Sequence, residues 1–114
     1  MDGVIIISTP QEIALQDVKR GIRMFDKLKV KILGLIDNMS HFVGDDGKKY
    51  AIFGEGGVKK TAEEFKKDFM GEIPIDPEVG KQGDLGSPIV ESKPDHEISK
   101  KYFKFAEKIK SVYL

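Results

Sequence analysis

Short apolar runs that end in polar residues are the dominant pattern of this chain. Three of them, Gly3–Ile7, Lys31–Asp37 and Phe69–Ile73, are each followed at once by Ser, Asn or Pro. A short apolar run bounded by turn residues is typical of a parallel strand that is buried on both faces. Because ligands bind outside the carboxyl ends of such strands, the residues that follow the runs are the first candidates for a site.

An amphipathic helix is predicted between the first two runs. Thr9, Pro10 and Glu12 form a capping-box sequence, with threonine as the N-cap and proline at the first helical position. Apolar residues then recur at helical spacing, namely Leu15, Val18, Ile22, Phe25 and Leu28. The order strand, helix, strand predicts a βαβ unit, and therefore an α/β fold of three layers around a mostly parallel sheet.

The rest of the chain is more interrupted, because glycine and proline are frequent in it. The elements predicted there are, in order, a hairpin of His41–Val43 with Tyr50–Phe53, a short helix after Gly57, one or two helical turns between Pro77 and Ser87, an extended Pro88–Val90, and a helix that begins near Asp95 and runs to the last residue.

Composition restricts the function classes. With 114 residues the chain suits one domain, residues 1–114, and its 19 basic and 19 acidic residues leave no net charge that favours nucleic acid or a membrane surface. The sequence has no cysteine, no signal-peptide pattern and no apolar run that approaches the ~20 residues of a membrane span. We expect a cytoplasmic protein without disulfides.

A glycine-rich segment, Gly54–Thr61, partly matches a phosphate-binding P-loop. Lys59 stands where the pattern requires its second glycine, which lets the backbone wrap around phosphate. The interpretation favoured here is a glycine-rich loop before a helix that carries solvated lysines.

The polar residues that follow the second apolar run offer several chemistries. Asp37 is either a general base or the last residue of a strand beside a cleft, and sequence does not separate the two. Asn38 is either a turn-stabilising side chain or an amide that binds the edge of a base, and we rank the two readings equally. His41 and His96 are far apart and no cysteine accompanies them, so no metal site is predicted.

At this point several segments of the chain, in the right order and spacing, resemble the C-terminal half of the Mrp/ApbC family. The matching segments are Gly3–Gln11, Ala14-Leu15 with Asp17, Asn38–Ser40, Ile52–Gly54 with Gly56-Gly57, Gly71–Pro77 and Gly86–Val90. Members of this family are MinD-like P-loop ATPases that bind and transfer iron–sulfur clusters. The resemblance implies ATP as a cofactor, with Asn38, Pro74 and, less directly, Asp76 on the adenine side.

Two departures from the family limit what the resemblance implies. The family's Walker A loop, switch aspartate and Walker B segment all precede the strand at Gly3, so catalysis by this chain alone is not expected. Many members also carry a Cys-x-x-Cys pair shortly after Asn-Met-Ser, whereas the corresponding Val43–Lys48 contains no thiol to hold a cluster. The resemblance thus predicts the C-terminal part of an ATP-binding protein of iron–sulfur cluster assembly or transfer. The alternative is a catalytically silent domain that pairs with itself or with a full-length relative.

Overall fold

The computed structural model describes residues 3–113. That range forms five strands and five helices in the order β1 (Val4–Ser8), α1 (Glu12–Lys27), β2 (Ile32–Asn38), β3 (Phe42–Val43), β4 (Lys49–Tyr50), α2 (Gly57–Glu64), β5 (Phe69–Ile73), α3 (Pro77–Asp84), α4 (Ile89–Ser92) and α5 (Glu97–Tyr113). The chain divides into two compact units, Met1–Ile75 and Asp76–Leu114. That residues 1–114 form one domain stays a prediction.

The first unit is built on a parallel sheet with the strand order β1-β2-β5, and this confirms the predicted α/β class. Strand β2 is central and its residues are buried or half-buried along its whole length. A parallel strand with a neighbour on each side has to bury both faces, which explains why its sequence is apolar up to Asp37.

The core of the first unit lies between the sheet and helices α1 and α2. Its buried residues are Val18 and Ile22 of α1, Ile32 and Leu35 of β2, and Val58 and Ala62 of α2. Two further contacts join the same elements, an ion pair between Lys19 and Glu64 at 3.6 Å and the Arg23 guanidinium 5.3 Å above the Phe65 ring. The α1 stripe that periodicity predicts therefore faces this core, except for Leu28, which is exposed.

The predicted start of α1 is wrong by two residues. The helix begins at Glu12 with Gln11 as its N-cap, and the cap makes no side-chain hydrogen bond. Pro10 is buried, and its carbonyl oxygen would lie 2.9 Å from a Cβ atom placed on Gly54. The glycine-rich loop therefore packs on the backbone of Pro10, which lies before the helix and not in its first turn.

Two further predictions need correction. The hairpin is present, but β4 ends at Tyr50 and does not extend to Phe53. Pro88–Val90 is not extended, because Pro88 is the N-cap of the short helix α4 and its carbonyl accepts the Ser92 hydroxyl at 3.2 Å. The side chain of Ile89 anchors α4 by burial.

The second unit consists of helices α3, α4 and α5. Ser99 of α5 is fully buried, and its hydroxyl bonds to the carbonyl oxygens of Ile89 at 3.0 Å and Lys93 at 2.7 Å. These bonds fasten the start of α5 to α4. The far end of α5 is more open, and Val112 is exposed there. None of the helices in the described part of the chain is long and apolar enough to cross a membrane.

Candidate functional site

The carboxyl ends of the three parallel strands lie at one edge of the sheet, as the sequence predicts. Ser8 of β1 is the register partner of Asp37 in β2, and Asn38 is the register partner of Ile73 in β5. The residues that follow each strand, including Pro74, therefore meet at this edge.

Two backbone hydrogen bonds join the segment that follows β2 to the segment that follows β5. The Ser40 amide donates to the Ile73 carbonyl at 3.0 Å, and the Ile75 amide donates to the His41 carbonyl at 2.6 Å. The buried Ser40 hydroxyl adds a longer bond to the Ile73 carbonyl at 3.4 Å. The two segments thus form one connected piece of backbone around Pro74.

Asn38 is the last residue of β2 and lies next to these joined segments. Its side-chain oxygen accepts the Met39 amide at 3.1 Å, a bond that accompanies the left-handed conformation of Met39 (φ 58°). Within residues 3–113 the side-chain nitrogen of Asn38 has no protein partner, and the side chain is half-buried. Asn38 therefore keeps a donor available while its acceptor is shared with the turn. Both readings weighed from the sequence, turn residue and ligand contact, fit this geometry.

Asp76 differs from the other two predicted contacts, because it opens the second unit and has protein partners for both carboxylate oxygens. Its Oδ1 atom accepts the Glu78 amide at 2.9 Å as the N-cap of α3, and its Oδ2 atom lies 3.3 Å from Nε2 of His96. The Nδ1 atom of His96 in turn accepts the Ile98 amide at 3.1 Å. Asp76 thus has a structural role within the second unit, and a contact with adenine stays a prediction.

Asp37 is a buried carboxyl at the same edge. The residue is 3% exposed, and its Oδ1 atom has no hydrogen-bond partner within the described residues. Burial, and after it the nearby carboxylate of Glu72, raises the pKa of Asp37 to about 6. The Asp37 carboxyl therefore remains largely protonated in mildly acidic solution, where an ordinary aspartate is ionised.

Sequence reasoning missed Glu72 as the neighbour of Asp37. The two residues are register partners in adjacent strands, and Glu72 also lies 3.6 Å from Nδ1 of His41. His41 in turn lies 2.8 Å from the Ser40 hydroxyl. Only the strand order reveals this cluster, because Glu72 is 35 positions from Asp37 by subtraction of their numbers in the chain.

The Gly54–Thr61 segment has the geometry of a loop and a helix start. Gly56 is the N-cap of α2 in the left-handed region (φ 72°), and the helix begins at Gly57. The Thr61 side chain is buried, and its hydroxyl donates to the Gly57 carbonyl at 2.9 Å. In a P-loop this hydroxyl binds the magnesium ion of the nucleotide, so its internal bond here supports the reading as a helix start.

The acidic turn of the hairpin is also explained by local bonds. The carboxylate of Asp46 accepts the Lys48 amide at 3.0 Å and the Tyr50 hydroxyl at 2.6 Å. The bond from Tyr50 lowers the pKa of Asp46, and that from the Lys48 amide lowers it further. In the part of the chain that the structure describes, no group of three His, Cys, Asp or Glu side chains is placed to hold a metal ion.

Comparison with known proteins identifies the family to which this chain is similar. A family model described as ParA, NUBPL iron-transfer P-loop NTPase, matches residues 1–110. An iron-sulfur cluster carrier protein of Aquifex aeolicus is 41% identical over 98% of this chain, and the match covers 31% of that protein. The chain thus spans about a third of the length of this relative.

Solved structures show the same fold. A nucleotide-binding protein from Archaeoglobus fulgidus, solved with ADP, matches 90% of this chain and 41% of its own with a TM-score of 0.70 and 35% identity. The cell division ATPase MinD of Pyrococcus furiosus matches 96% of this chain and 43% of its own with a TM-score of 0.72 and 21% identity. The second likeness concerns the fold alone. From the family match and the shared fold, we conclude that this chain belongs to the ParA/NUBPL family of iron-transfer P-loop NTPases, as the Mrp/ApbC resemblance of its sequence predicts.

Proposed function

We propose that this chain is the adenine-binding part of an ATP-binding protein that acts in iron–sulfur cluster assembly or transfer. The observation that carries the proposal is the joined backbone at the carboxyl edge of the sheet, where Asn38 and the segment around Pro74 lie together. Support for the biological role comes from relatives that are named iron-sulfur cluster carrier proteins.

The chemistry of the two residues suits a purine base. The free side-chain nitrogen of Asn38 is a donor for a ring nitrogen, and its oxygen is an acceptor that is shared with the Met39 amide. Pro74 offers an apolar ring and has no backbone N–H of its own to satisfy. A base held between an amide and a proline ring gains contacts at its edge and on its face, and this is the arrangement that we assign to adenine.

The phosphates require a different part of the protein. Backbone N–H groups, a lysine and a magnesium ion supply much of the affinity of P-loop proteins for ATP. The Gly54–Thr61 segment is used in a loop and a helix start, and the chain spans about a third of its relative from Aquifex aeolicus. We therefore assign the phosphate contacts and the hydrolysis of ATP to a part of such proteins outside these 114 residues.

We expect the 114-residue chain alone to bind ADP weakly, with a Kd of about 1 mM or higher, and to hydrolyse no ATP. The measurement is a titration of the isotopically labelled chain with ADP and magnesium, followed by two-dimensional NMR of its amides. Amide signals of residues 38–41, Ile73 and Ile75 should move, and Asn38→Ala should abolish the movement. Gln16→Ala removes an exposed amide side chain from α1 and serves as the matched control.

Two results would contradict the proposal. Binding in the micromolar range that depends on magnesium would show a phosphate site within these residues and restore the Gly54–Thr61 segment as a P-loop. Signal changes that leave residues 38–41 unaffected would remove the adenine site from this edge.

A second candidate function, a silent domain that pairs with other chains, rests on a separate observation. Apolar side chains are exposed on and around the hairpin, namely Met39, Phe42, Val43, Tyr50 and Ile52, and the sequence has no cysteine there to hold a cluster. Exposed apolar groups close together favour protein contacts over catalysis. The same titration separates the two functions, since a silent domain leaves residues 38–41 unperturbed.

A further inference from the structure

The start of helix α5 is capped by a histidine ring. The helix begins at Glu97, and the carbonyl oxygen of His96 before it accepts the Lys100 amide at 3.0 Å. The Nδ1 atom of the same histidine accepts the Ile98 amide at 3.1 Å. His96 therefore occupies the N-cap position of α5, which Ser, Thr, Asp or Asn more often fills.

The bond from Ile98 determines which ring nitrogen of His96 carries the hydrogen. A backbone amide is always a donor, so Nδ1 has to be the acceptor and carries no hydrogen. In a neutral imidazole the hydrogen is then on Nε2. The Nε2 atom lies 3.3 Å from Oδ2 of Asp76, which is an acceptor. The neutral ring thus caps α5 with one nitrogen and donates to Asp76 with the other.

Asp76 is held in position by helix α3. Its Oδ1 atom accepts the Glu78 amide at 2.9 Å as the N-cap of that helix. The Asp76 carboxylate and the His96 ring therefore join the start of α3 to the start of α5. A second link runs beside this one, because Glu78 also forms an ion pair at 2.6 Å with Lys93, the C-cap of α4.

Protonation of His96 acts on its two contacts in opposite directions. An imidazolium donates from both nitrogens, so Nδ1 can no longer accept the Ile98 amide and two N–H groups face each other. A positive charge at the N-terminus of a helix is also unfavourable. The same charge strengthens the contact with the Asp76 carboxylate. The added proton thus exchanges a helix cap for an ion pair.

The ring and its partner are open to solvent protons, since the His96 and Asp76 side chains are 24% and 32% exposed. Five charged residues lie on the segments that meet at His96, namely Asp76, Glu78, Lys93, Asp95 and Glu97. Glu78 and Lys93 neutralise each other through their ion pair, whereas Asp76 contacts the ring itself. Asp76 is therefore the group that keeps a protonated His96 in place.

We propose that His96 is a pH-dependent switch at the start of α5. The neutral ring binds Asp76 and caps the helix, whereas the protonated ring binds Asp76 alone and leaves the first turn of α5 without its cap. The change is confined to this turn, because the Ser99 hydroxyl still holds the helix to the carbonyl oxygens of Ile89 and Lys93. The proposal concerns the second unit alone and does not depend on nucleotide binding.

Hydrogen exchange of the 114-residue chain, followed by NMR, tests the proposal. The protection of the Ile98 amide, corrected for the intrinsic exchange rate, should be about tenfold lower at about pH 5 than at about pH 7.5. His96→Asn supplies a capping oxygen that does not titrate, so it should remove this pH dependence. His41→Asn removes the other of the two histidines and should leave the dependence unchanged. Circular dichroism checks that both variants are folded.

A measurement on the unaltered chain tests the same mechanism without a substitution. The ¹⁵N spectrum of the His96 ring at about pH 7.5 should show the hydrogen on Nε2. A neutral ring with its hydrogen on Nδ1 would overturn the proposal. Equal protection of Ile98 at both pH values, a pH dependence that persists in His96→Asn, or one that disappears in His41→Asn would overturn it as well.

Discussion

Burial of the Asp37 carboxyl makes the stability of the first unit depend on pH. Its folded pKa of about 6 lies above the ordinary value of 3.8, so the folded chain holds this proton more tightly than the unfolded chain does. The stabilisation is therefore complete below pH 3.8 and is lost as the pH rises through 6. Above that range the fold carries a buried charge, and one of its oxygens has no hydrogen-bond partner among the described residues.

Replacement of this carboxyl by an amide should remove the dependence. We expect Asp37→Asn to raise the free energy of unfolding at pH 7.5 by about 1–2 kcal/mol, which is less than the full shift implies because solvent screens part of the charge. At pH 3.5, which is below the ordinary pKa of 3.8, the two proteins should be equally stable. Denaturant unfolding at both pH values measures the difference, with the exposed Asp45→Asn as control. A loss of stability at pH 7.5 would show that the charged form has a partner.

Single residues of the site were predicted from the sequence where position along a strand decides their place. Asn38 and Pro74 follow apolar runs, so their location at the carboxyl edge is a direct consequence of parallel strands. The surroundings of Asp37 were not predictable, because its neighbour Glu72 depends on a register shift between Leu35 and Ile36. Asp76 follows the same pattern as Pro74, yet its partner His96 is supplied by the distant start of α5.

Among the elements, the contact between Pro10 and the glycine-rich loop decides where α1 begins. Gly54 has φ 122°, and a Cβ atom on it would meet the Pro10 carbonyl oxygen at 2.9 Å. A Cβ atom on Gly57 would meet the Leu15 side chain at 2.5 Å. The loop thus needs glycine for its backbone angles and for its closeness to Pro10.

A pair of glycine substitutions tests this account. Gly54→Ala should lower the free energy of unfolding by about 1–3 kcal/mol, since the new methyl group meets backbone and the conformation is strained. Gly80→Ala lies in α3 with no neighbour within 4 Å and should stabilise the protein by about 0.5–1 kcal/mol. Thermal unfolding measures both. Similar effects of the two substitutions would refute the packing role of Gly54.

The strands and the long helices were predicted from the spacing of their apolar residues. A helix that buries one face, or a strand that buries both, requires apolar residues at regular positions in the sequence. The shorter elements were not. The predicted capping box at Thr9 does not form, because Pro10 packs against the glycine-rich loop and α1 begins after it. Pro88–Val90 is the start of a helix and not an extended segment, because burial of Ile89 stabilises α4. In both cases contacts with residues distant in sequence determine the local structure, and such contacts cannot be read from a local sequence pattern.

At the scale of the whole molecule, the ligand set determines what the chain can carry. Both histidines already have protein partners. His41 contacts Ser40 and Glu72. His96 contacts Asp76 and the backbone amide of Ile98. The sequence has no cysteine, and iron–sulfur clusters are held mainly by thiolates. If the protein acts on clusters, their ligands come from outside these 114 residues.

We therefore expect the isolated chain to retain no iron after anaerobic reconstitution with iron and sulfide, followed by desalting. Absorbance near 400 nm and iron analysis give the stoichiometry, roughly zero per chain on the basis of its ligands. The cluster carrier protein of Aquifex aeolicus, treated in parallel, controls for the reconstitution itself. About one iron or more per chain would mean that histidine and carboxylate ligands suffice.

The two hydrogen bonds that join the segments after β2 and β5 also have an entropic consequence. Since Ser40 is bonded to Ile73 and Ile75 to His41, the backbone around Asn38 and Pro74 is already ordered before any ligand arrives. Binding at this edge then costs little conformational entropy, so a weak affinity there reflects contacts that are missing and not a loop that has to be folded. Phosphate contacts supplied by another polypeptide would accordingly add to the affinity at nearly full strength.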